Sequence, residues 1–192
     1  MASEVRMVAD NLARAMGALD CDWGDSNFTD TPERWAKWLI EFAGPQKGET
    51  IDKILSPLFP EAHQEMIVVR DIDFTAMCAH HFLPFMGKAC IGYIPNEEGA
   101  VVGLSKLVRA VQFYARRFTL QERITSSLAD NIDRVLQPRG VMVVIEATHL
   151  CMRVRGVKDP TSFTVTSAVR GVFAENSAGC KDEFLTLIGR KP

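Results

Sequence analysis

Two short motifs contain side chains that soft and borderline metal ions prefer as ligands. Cys78 and His81 lie in the run Cys-Ala-His-His, and His149 and Cys151 form a His-Leu-Cys motif far downstream. Two thiolates and one imidazole can hold a zinc ion and leave a fourth tetrahedral position for water, as in catalytic zinc sites. A structural zinc site is normally closed by four ligands, and His80 or His149 could supply the fourth. The spacing therefore predicts a zinc site without deciding between a catalytic and a structural one.

The residues around both motifs favour β-strands. Residues 141–147 form a strand-like apolar run that ends just before His149. Because side chains alternate across a strand, we expect His149 and Cys151 to point to the same side. Upstream, apolar and polar residues alternate from Met66, and residues 87–94 follow as a second strand, which together predict a β-hairpin leading to Cys78.

Two helices are predicted before the first strand. Apolar residues recur at helical spacing over the first eighteen residues, which indicates an amphipathic helix. A second helix is expected to begin with Thr31 as its cap and Pro32 at its first position, where a proline loses no hydrogen bond. We expect the buried face of this second helix to consist of Trp35, Trp38, Leu39 and Phe42.

Two adjacent helices and a second β-hairpin are predicted in the second half of the chain. Ser105 is placed to cap the first of these helices, and the second should run over residues 121–136. The strand over 141–147 and a further strand over 162–173 form the hairpin. This order of elements predicts an α+β fold. We divide it into an N-terminal helical region, residues 1–64, and an α+β domain, residues 65–192, which together form one structural unit.

Length and composition favour one main domain and argue against several classes of protein. The chain has 192 residues, 47% of them hydrophobic, which is enough for one sizeable core. A formal charge of -2 and a pI near 6.1 give no basis for a nucleic-acid or membrane-surface partner. We expect neither a signal peptide nor a membrane span, because no apolar run has the required length. The five cysteines are an odd number in a chain without an export signal, which predicts reduced thiols in the cytosol, with Cys90 in the core and no ligand role for Cys21 or Cys180.

Several polar motifs interrupt the apolar stretches around the candidate ligands. They are Thr31-Pro32-Glu33-Arg34, Gly87-Lys88, Gly92-Tyr93-Ile94-Pro95, Gly103-Leu104-Ser105-Lys106-Leu107-Val108-Arg109, Gln121-Glu122-Arg123 and Arg153-Val154-Arg155-Gly156. Together with the ligand motifs, they resemble the GTP cyclohydrolase I family, whose zinc enzymes open the guanine ring of GTP to begin pterin synthesis. The resemblance extends in order from about Asp30 to Ile188.

This resemblance implies a fold, an assembly and a cofactor. The family has the tunnelling fold, in which an antiparallel sheet carries two antiparallel helices and N-terminal helices precede them. Sheets from several subunits join into a barrel, and the family typically forms a decamer of two pentamers with active sites shared between subunits. The resemblance also implies a Zn²⁺ cofactor, GTP as substrate, and a cytoplasmic enzyme with neither a nucleic-acid nor a membrane partner.

The resemblance assigns a role to each candidate site residue. It makes Cys78, His81 and Cys151 the zinc ligands, the same trio that ligand chemistry selects. His149 and His80 become acid and base, with Ser105 as a helper in the later steps. Glu122 becomes the guanine reader, with Gln121 beside it in the substrate pocket. The triphosphate contacts are Lys106, Arg109 and Arg155, joined by Arg34 and Lys37 from a neighbouring subunit.

The same residues also have simpler interpretations. His80 could only hydrogen-bond a zinc ligand, and Glu122 could be a surface glutamate favoured by the dipole of a helix start. Ser105 and Lys106 could be an ordinary helix cap with a solvated charge. At the level of the whole protein, a tunnelling-fold nitrile reductase acting on a 7-deazaguanine would need a nucleophilic cysteine and NADPH instead of zinc. A non-catalytic zinc module that keeps only the fold is the third alternative.

Overall fold

The structure is a computed structural model that describes residues 2–19, 25–44, 48–175 and 179–190. The chain divides into two compact units, Met1–Gln46 and Lys47–Pro192. The first unit contains helices α1 (Ala2–Ala18) and α2 (Thr31–Ala43). Cys21 lies outside the described residues.

Both predicted N-terminal helices are present, but two details of α2 differ from the prediction. Asp30 occupies the cap position and Thr31 is the first helical residue, so the predicted capping role of Thr31 is wrong by one position. Trp35 and Trp38 remain 37% and 39% exposed, whereas Ala36 is fully buried. The prediction that the two tryptophans are buried is therefore wrong for this chain. A helical period identifies an apolar stripe, but it does not show whether another surface covers that stripe.

The second unit contains the remaining helices and strands. In chain order they are α3 (Ile51–Ile54), β1 (Leu58–Pro60), β2 (Ile67–Cys78), β3 (Pro84–Ile94), β4 (Ala100–Val102), α4 (Leu104–Ala115), β5 (Phe118–Thr119), α5 (Gln121–Leu136), β6 (Gly140–His149), α6 (Leu150–Arg153), β7 (Thr164–Gly171) and α7 (Cys180–Leu187). The predicted α+β class is confirmed, and α5 has the predicted bounds. The division of the chain at residues 64 and 65 stays a prediction.

A five-stranded sheet with the order β5-β2-β3-β6-β7 forms the centre of the second unit. Its neighbouring strands are antiparallel, except that the short strand β5 pairs in parallel with the end of β2. β1 and β4 form a separate two-stranded sheet. The predicted hairpins β2-β3 and β6-β7 are both present, and β3 joins them into one sheet.

Helices cover both faces of the central sheet. On one face α4 packs against β2, and α5 packs against β6 and β7, around a large apolar core. On the other face α7 buries Phe184 against Phe173 and the apolar side chains of β6. Cys90 is half-buried beside this second cluster, as its predicted place in the core implies. After α7, the guanidinium of Arg190 lies 2.5 Å from the Glu146 carboxylate.

Gly103 is the cap of α4 and Ser105 is its second residue, so the predicted capping role of Ser105 is wrong. The four described cysteines are free thiols, as predicted. Within the described residues, no helix has the length and apolar character needed to cross a membrane.

Phe184 should dominate the stability of the contact between α7 and the sheet. Its side chain is fully buried, and Gly92 beneath it leaves room for the ring, since a Cβ at Gly92 would lie 2.5 Å from it. Phe184→Ala should lower the free energy of unfolding by about 3–5 kcal/mol, because it removes buried apolar surface and leaves a cavity. Leu187→Ala on the same helix is the control, since that side chain is 46% exposed and its loss should cost about 0.5 kcal/mol or less. Equal losses in chemical denaturation would contradict this packing.

Candidate metal centre and the surrounding site

Three side chains meet at one edge of the sheet in a group that could hold a metal ion. The ligand atoms of Cys78, His81 and Cys151 all lie within 4.8 Å of one another. The Sγ of Cys78 is 3.9 Å from Nδ1 of His81, so Nδ1 is the ring nitrogen that faces the thiols. Ligand atoms on one tetrahedral zinc stand roughly 3.5–4 Å apart, so the group fits such an ion after a small closure. Among the described residues neither His80 nor His149 joins the group, which leaves a three-ligand site.

A tight turn after β2 places the first two ligands. The turn closes through the backbone amide of Phe82, which donates to the carbonyl of Cys78, while the amide of Cys78 donates to Leu83. Phe82 has a φ of 53°, a left-handed conformation that is uncommon for a non-glycine residue and that turns the chain sharply. Its ring packs 4.4 Å from the ring of Phe118 on β5. The turn is thereby held against the sheet edge, and His81 points back toward Cys78.

The third ligand comes from a helical turn and not from a strand. β6 ends at His149, and Cys151 lies in α6, the single turn that follows. The predicted reason for their arrangement, strand alternation through Cys151, is therefore wrong. The turn separates the two side chains: Cys151 joins the metal group, whereas His149 remains at the strand end.

The surroundings of Cys151 favour its protonated thiol when no metal is bound. Burial raises the pKa of Cys151, and the neighbouring Cys78 thiol raises it further because two thiolates would repel each other. Arg155 opposes this effect through its positive charge, and its guanidinium donates to Nε2 of His81 at 2.6 Å. A bound cation would replace the thiol protons and remove the repulsion between the sulfurs.

His149, two residues before Cys151, has defined contacts on one face and one edge of its ring. Its ring stacks on Phe85 with centroids 4.6 Å apart and planes within 3° of parallel. Its Nε2 lies 2.8 Å from Oε1 of Gln121. Burial lowers the pKa of His149, and the negative charge of Glu122 only partly offsets this effect. The imidazole is therefore neutral near pH 7 and can accept a proton.

Gln121 is buried and hydrogen-bonded on both sides of its amide. Its Nε2 donates to the carbonyls of Ile145 and Thr164, both at 3.0 Å, and lies 3.1 Å from Oγ1 of Thr166. Only 1% of the residue is exposed. The predicted substrate contact through this side chain stays a prediction. The geometry favours a different role, because the nitrogen and the oxygen of the amide both already have hydrogen-bond partners within the protein.

The other predicted polar residues lie at the starts of two helices or beside the metal group. Glu122 is exposed in the first turn of α5, and its charge reaches His149. Ser105, Lys106 and Arg109 lie in the first half of α4, whose cap Gly103 makes no side-chain hydrogen bond. Free backbone N–H groups at such helix starts favour anions.

His80 and the two cations of α2 have separate surroundings. His80 is exposed, and its ring lies edge-on to that of His81 at 6.1 Å. Within the first unit Lys37 pairs with Glu33 at 2.6 Å, and Arg34 pairs with Asp30 at 3.4 Å. Both cations are exposed, so these surface pairs contribute little and leave the charges available to an anion.

The sequence did not indicate two of the contacts that shape this site. The stacking of Phe85 on His149 and the amide network of Gln121 join residues from β3, α5, β6 and β7. The one local signal is a polar residue, Gln121, followed four positions later by another, Thr125, on the buried face of an amphipathic helix. Taken together, the contacts join Arg155 to the three-ligand metal group, and the Glu122 carboxylate acts on the neutral imidazole of His149.

Comparison with known proteins identifies close relatives over most of the chain. Residues 8–189 match the sequence profile of a family described as GTP cyclohydrolase I. A GTP cyclohydrolase 1 of Geobacillus kaustophilus (strain HTA426) is 52% identical over 172 residues, which cover 89% of this chain and 89% of the relative. A GTP cyclohydrolase 1 of Gloeobacter violaceus (strain ATCC 29082 / PCC 7421) is 51% identical over 162 residues, 84% of this chain and 74% of the relative.

Among solved structures, the apo form of an archaeosine synthase QueF-Like protein is similar with a TM-score of 0.45 and 17% sequence identity. The match covers 55% of this chain and 93% of that chain.

The metal group can be tested with Co²⁺, whose thiolate complexes absorb light. Titration of metal-free protein should give charge-transfer bands typical of cobalt bound to thiolates in a tetrahedral site. Cys151→Ser should weaken binding on the order of 100-fold and reduce these bands, because one soft ligand is lost. Affinity should rise with pH, since the thiols must lose protons on binding. Cys90→Ser, which removes a half-buried thiol outside the group, should leave the titration unchanged; a Cys151→Ser protein that behaves in the same way would refute the assignment.

Proposed function

The chain belongs to the GTP cyclohydrolase I family and is an enzyme of this type, and we propose that it hydrolyses GTP at C8 of guanine, with release of formate and rearrangement to 7,8-dihydroneopterin triphosphate. The observation that carries this proposal is the group of Cys78, His81 and Cys151 next to the neutral imidazole of His149. Opening of an imidazole ring by water needs an activated nucleophile and a group that moves protons, and this site supplies candidates for both.

The metal ion in this proposal is Zn²⁺. Two thiols and one imidazole form a donor set that zinc prefers, and three protein ligands are typical of catalytic zinc sites. When bound, the ion would supply Lewis-acid activation of water for attack on C8. Cys78 and Cys151 must lose their protons to bind it, and Arg155 lies close enough to stabilise the resulting negative charge.

His149 is the proposed acid and base for the guanine ring. Its neutral imidazole can take a proton from the attacking water and return it to a ring nitrogen when the C8–N bond breaks. Phe85 and Gln121 restrain the ring, which reduces the conformational freedom that would have to be lost before proton transfer. His80 and Ser105 remain proposed helpers for deformylation, the Amadori rearrangement and ring closure.

Glu122 is the proposed reader of the base. Its carboxylate can accept hydrogen bonds from N1–H and from the 2-amino group of guanine, a donor pair that adenine does not present. The same carboxylate raises the pKa of His149, which indicates that the two groups lie near each other. A guanine bound to Glu122 would therefore lie within the neighbourhood of the imidazole.

The triphosphate is proposed to bind cations from two subunits. Lys106 and Arg109 lie at the start of α4, where backbone N–H groups also favour an anion. Arg155, beside His81, completes this set within one subunit. Arg34 and Lys37 would reach the same triphosphate from a neighbouring subunit of a homodecamer built from two pentamers, with sheets joined into a barrel.

The two alternatives make different demands on the same residues. A tunnelling-fold nitrile reductase needs a cysteine that is free to attack its substrate, whereas both thiols of the site belong to the metal group. A non-catalytic zinc module needs neither His149 nor Glu122. Formate release separates the cyclohydrolase from both alternatives, because it alone produces formate from GTP, and metal analysis separates the zinc module from the reductase.

The protein should release formate from GTP, and inosine triphosphate should be a much poorer substrate. The analogue lacks the 2-amino group and leaves the Glu122 carboxylate partly unpaired, so kcat/KM should fall roughly 10²- to 10⁴-fold. Glu122→Ala should lose most of this discrimination. Glu122→Gln keeps the side-chain length but not the charge, so it should disturb the structure of the site less than Glu122→Ala. Chelation of the metal should abolish formate release. If the unmodified protein handles both nucleotides equally, Glu122 does not read the base; if it releases no formate with zinc present, the proposed function fails.

Two inactive variants should restore activity to each other when the site is shared between subunits. Arg34→Ala removes a phosphate contact on one side of the interface, and Cys78→Ser removes a metal ligand on the other. After subunit exchange of equal amounts, about a quarter of the sites should be intact on both sides. A mixture of Cys78→Ser with Cys151→Ser is the control, because both changes damage the same half of each site. Recovery in neither mixture despite demonstrated exchange would show that the sites are not shared.

A further inference from the structure

The side-chain amide of Gln121 can adopt only one orientation in this structure. Its Nε2 faces two backbone carbonyls, those of Ile145 and Thr164, each at 3.0 Å. A carbonyl oxygen can only accept a hydrogen bond, so the atom that faces the pair must be a donor. The reversed amide would place an oxygen against both carbonyl oxygens in a region that is 1% exposed, which replaces two hydrogen bonds by two contacts between acceptors. The nitrogen therefore points toward the strands, and Oε1 points toward His149.

This orientation determines which nitrogen of His149 carries a proton. Oε1 of Gln121 lies 2.8 Å from Nε2 of His149 and can only accept. Nε2 must therefore be the protonated nitrogen of the neutral ring, and Nδ1 keeps its lone pair. The chain of hydrogen bonds starts at carbonyl acceptors of β6 and β7, passes through the Gln121 amide and ends at the imidazole, so the sheet itself selects the tautomer.

We propose that Gln121 is a positioning residue for the reaction, which locks His149 in the Nε2–H tautomer so that Nδ1 is the atom that receives the proton. The inference deepens the proposed function and rests on it for the role of the imidazole. The tautomer itself is a property of the protein without substrate.

Two contacts hold the ring, and they restrain different motions. Stacking on Phe85 at 4.6 Å fixes the plane of the imidazole. It permits a half-turn about the Cβ–Cγ bond, which returns the ring to the same plane with its nitrogen and carbon positions exchanged. Among the residues that the structure describes, the hydrogen bond to Gln121 is the one that distinguishes the two nitrogens. Without that bond the ring could present Nε2 or Nδ1 to the substrate, and a share of the molecules would place a proton where a base is needed.

A substrate-binding or a merely structural role for Gln121 makes different predictions. A contact to guanine would weaken binding when removed and would leave the tautomer unchanged. A structural link between α5 and the sheet would lower stability without changing either the tautomer or the balance of kcat and KM. Thr125 offers the matched comparison, because its hydroxyl bonds the Gln121 carbonyl at 2.8 Å and lies 2.6 Å from Thr166 Oγ1 within the same network, and no hydrogen bond joins its side chain to His149.

Nitrogen-15 NMR of zinc-loaded protein with ring-labelled histidine tests the proposal directly. The chain has only four histidines, and His149→Ala identifies the signals of His149 by their loss. Near pH 8, where the ring is neutral, Nε2 of His149 should resonate as a protonated nitrogen and Nδ1 as an unprotonated one. The opposite pattern, or an equal mixture of tautomers, in the unmodified protein would overturn the proposal without any reference to catalysis.

Substitution then connects the tautomer to the reaction. Gln121→Met keeps the side-chain length but removes the acceptor; the His149 signals should shift toward the other tautomer, and kcat should fall about 10- to 100-fold with KM within about twofold. Thr125→Val should lower thermal stability while both the NMR pattern and kcat stay unchanged. In a His149→Ala background, Gln121→Met should cause no further loss, because the two residues act as one unit. A rise in KM alone, an unchanged tautomer in Gln121→Met, or additive losses would each overturn the proposal.

Discussion

The site depends on the register between β3 and β6, the two strands at the centre of the sheet. From Phe85 opposite His149 to Ile94 opposite Gly140, the two strands pair without a break. β3 also pairs with β2, so the end of β2 at Cys78 and the end of β6 at His149 meet at one edge. A slip of one residue would turn every side chain of β6 to the other face, because the side-chain period of a strand is two. His149 would then leave Phe85, and the turn with Cys151 would begin at the wrong place.

The polar network beneath α5 adds a second constraint, because its members are buried. Gln121 and Thr125 lie four positions apart on the helix and meet Thr166 on β7. Such groups cost free energy unless each of them finds a partner, so the network tolerates only one placement of the helix on the sheet. The same placement carries Glu122 toward His149. A requirement of folding and a requirement of chemistry are therefore met by one set of contacts.

Local patterns in the sequence predicted much of this molecule, and the failures have physical causes. The period of apolar residues predicted α5 with its bounds, and ligand chemistry predicted the trio that the structure brings together. The helical turn at Cys151 could not be predicted, because His-Leu-Cys continues the alternation of the strand before it. The role of Gln121 was hidden for another reason: its partners, Ile145 and Thr164, lie on strands that only the fold brings to it. The exposure of Trp35 was not predicted because a helical period identifies an apolar stripe but does not show whether another surface covers it.

The two sides of the metal group differ in rigidity. Cys78 is buried at the end of a strand with neighbours on both sides, whereas Cys151 lies in α6, a four-residue turn with no buried residue. An ion bound by both would cross-link the strand end at Cys78 to the short turn α6 at Cys151. It would thereby close the long loop of chain between these two residues. Loss of the ion would then cause local unfolding of the segment after His149, while the sheet stayed folded. Amide exchange and proteolysis would increase in that segment. The bound metal would in this way control the local stability of the segment after His149, and this effect would be separate from the role of the metal in any reaction.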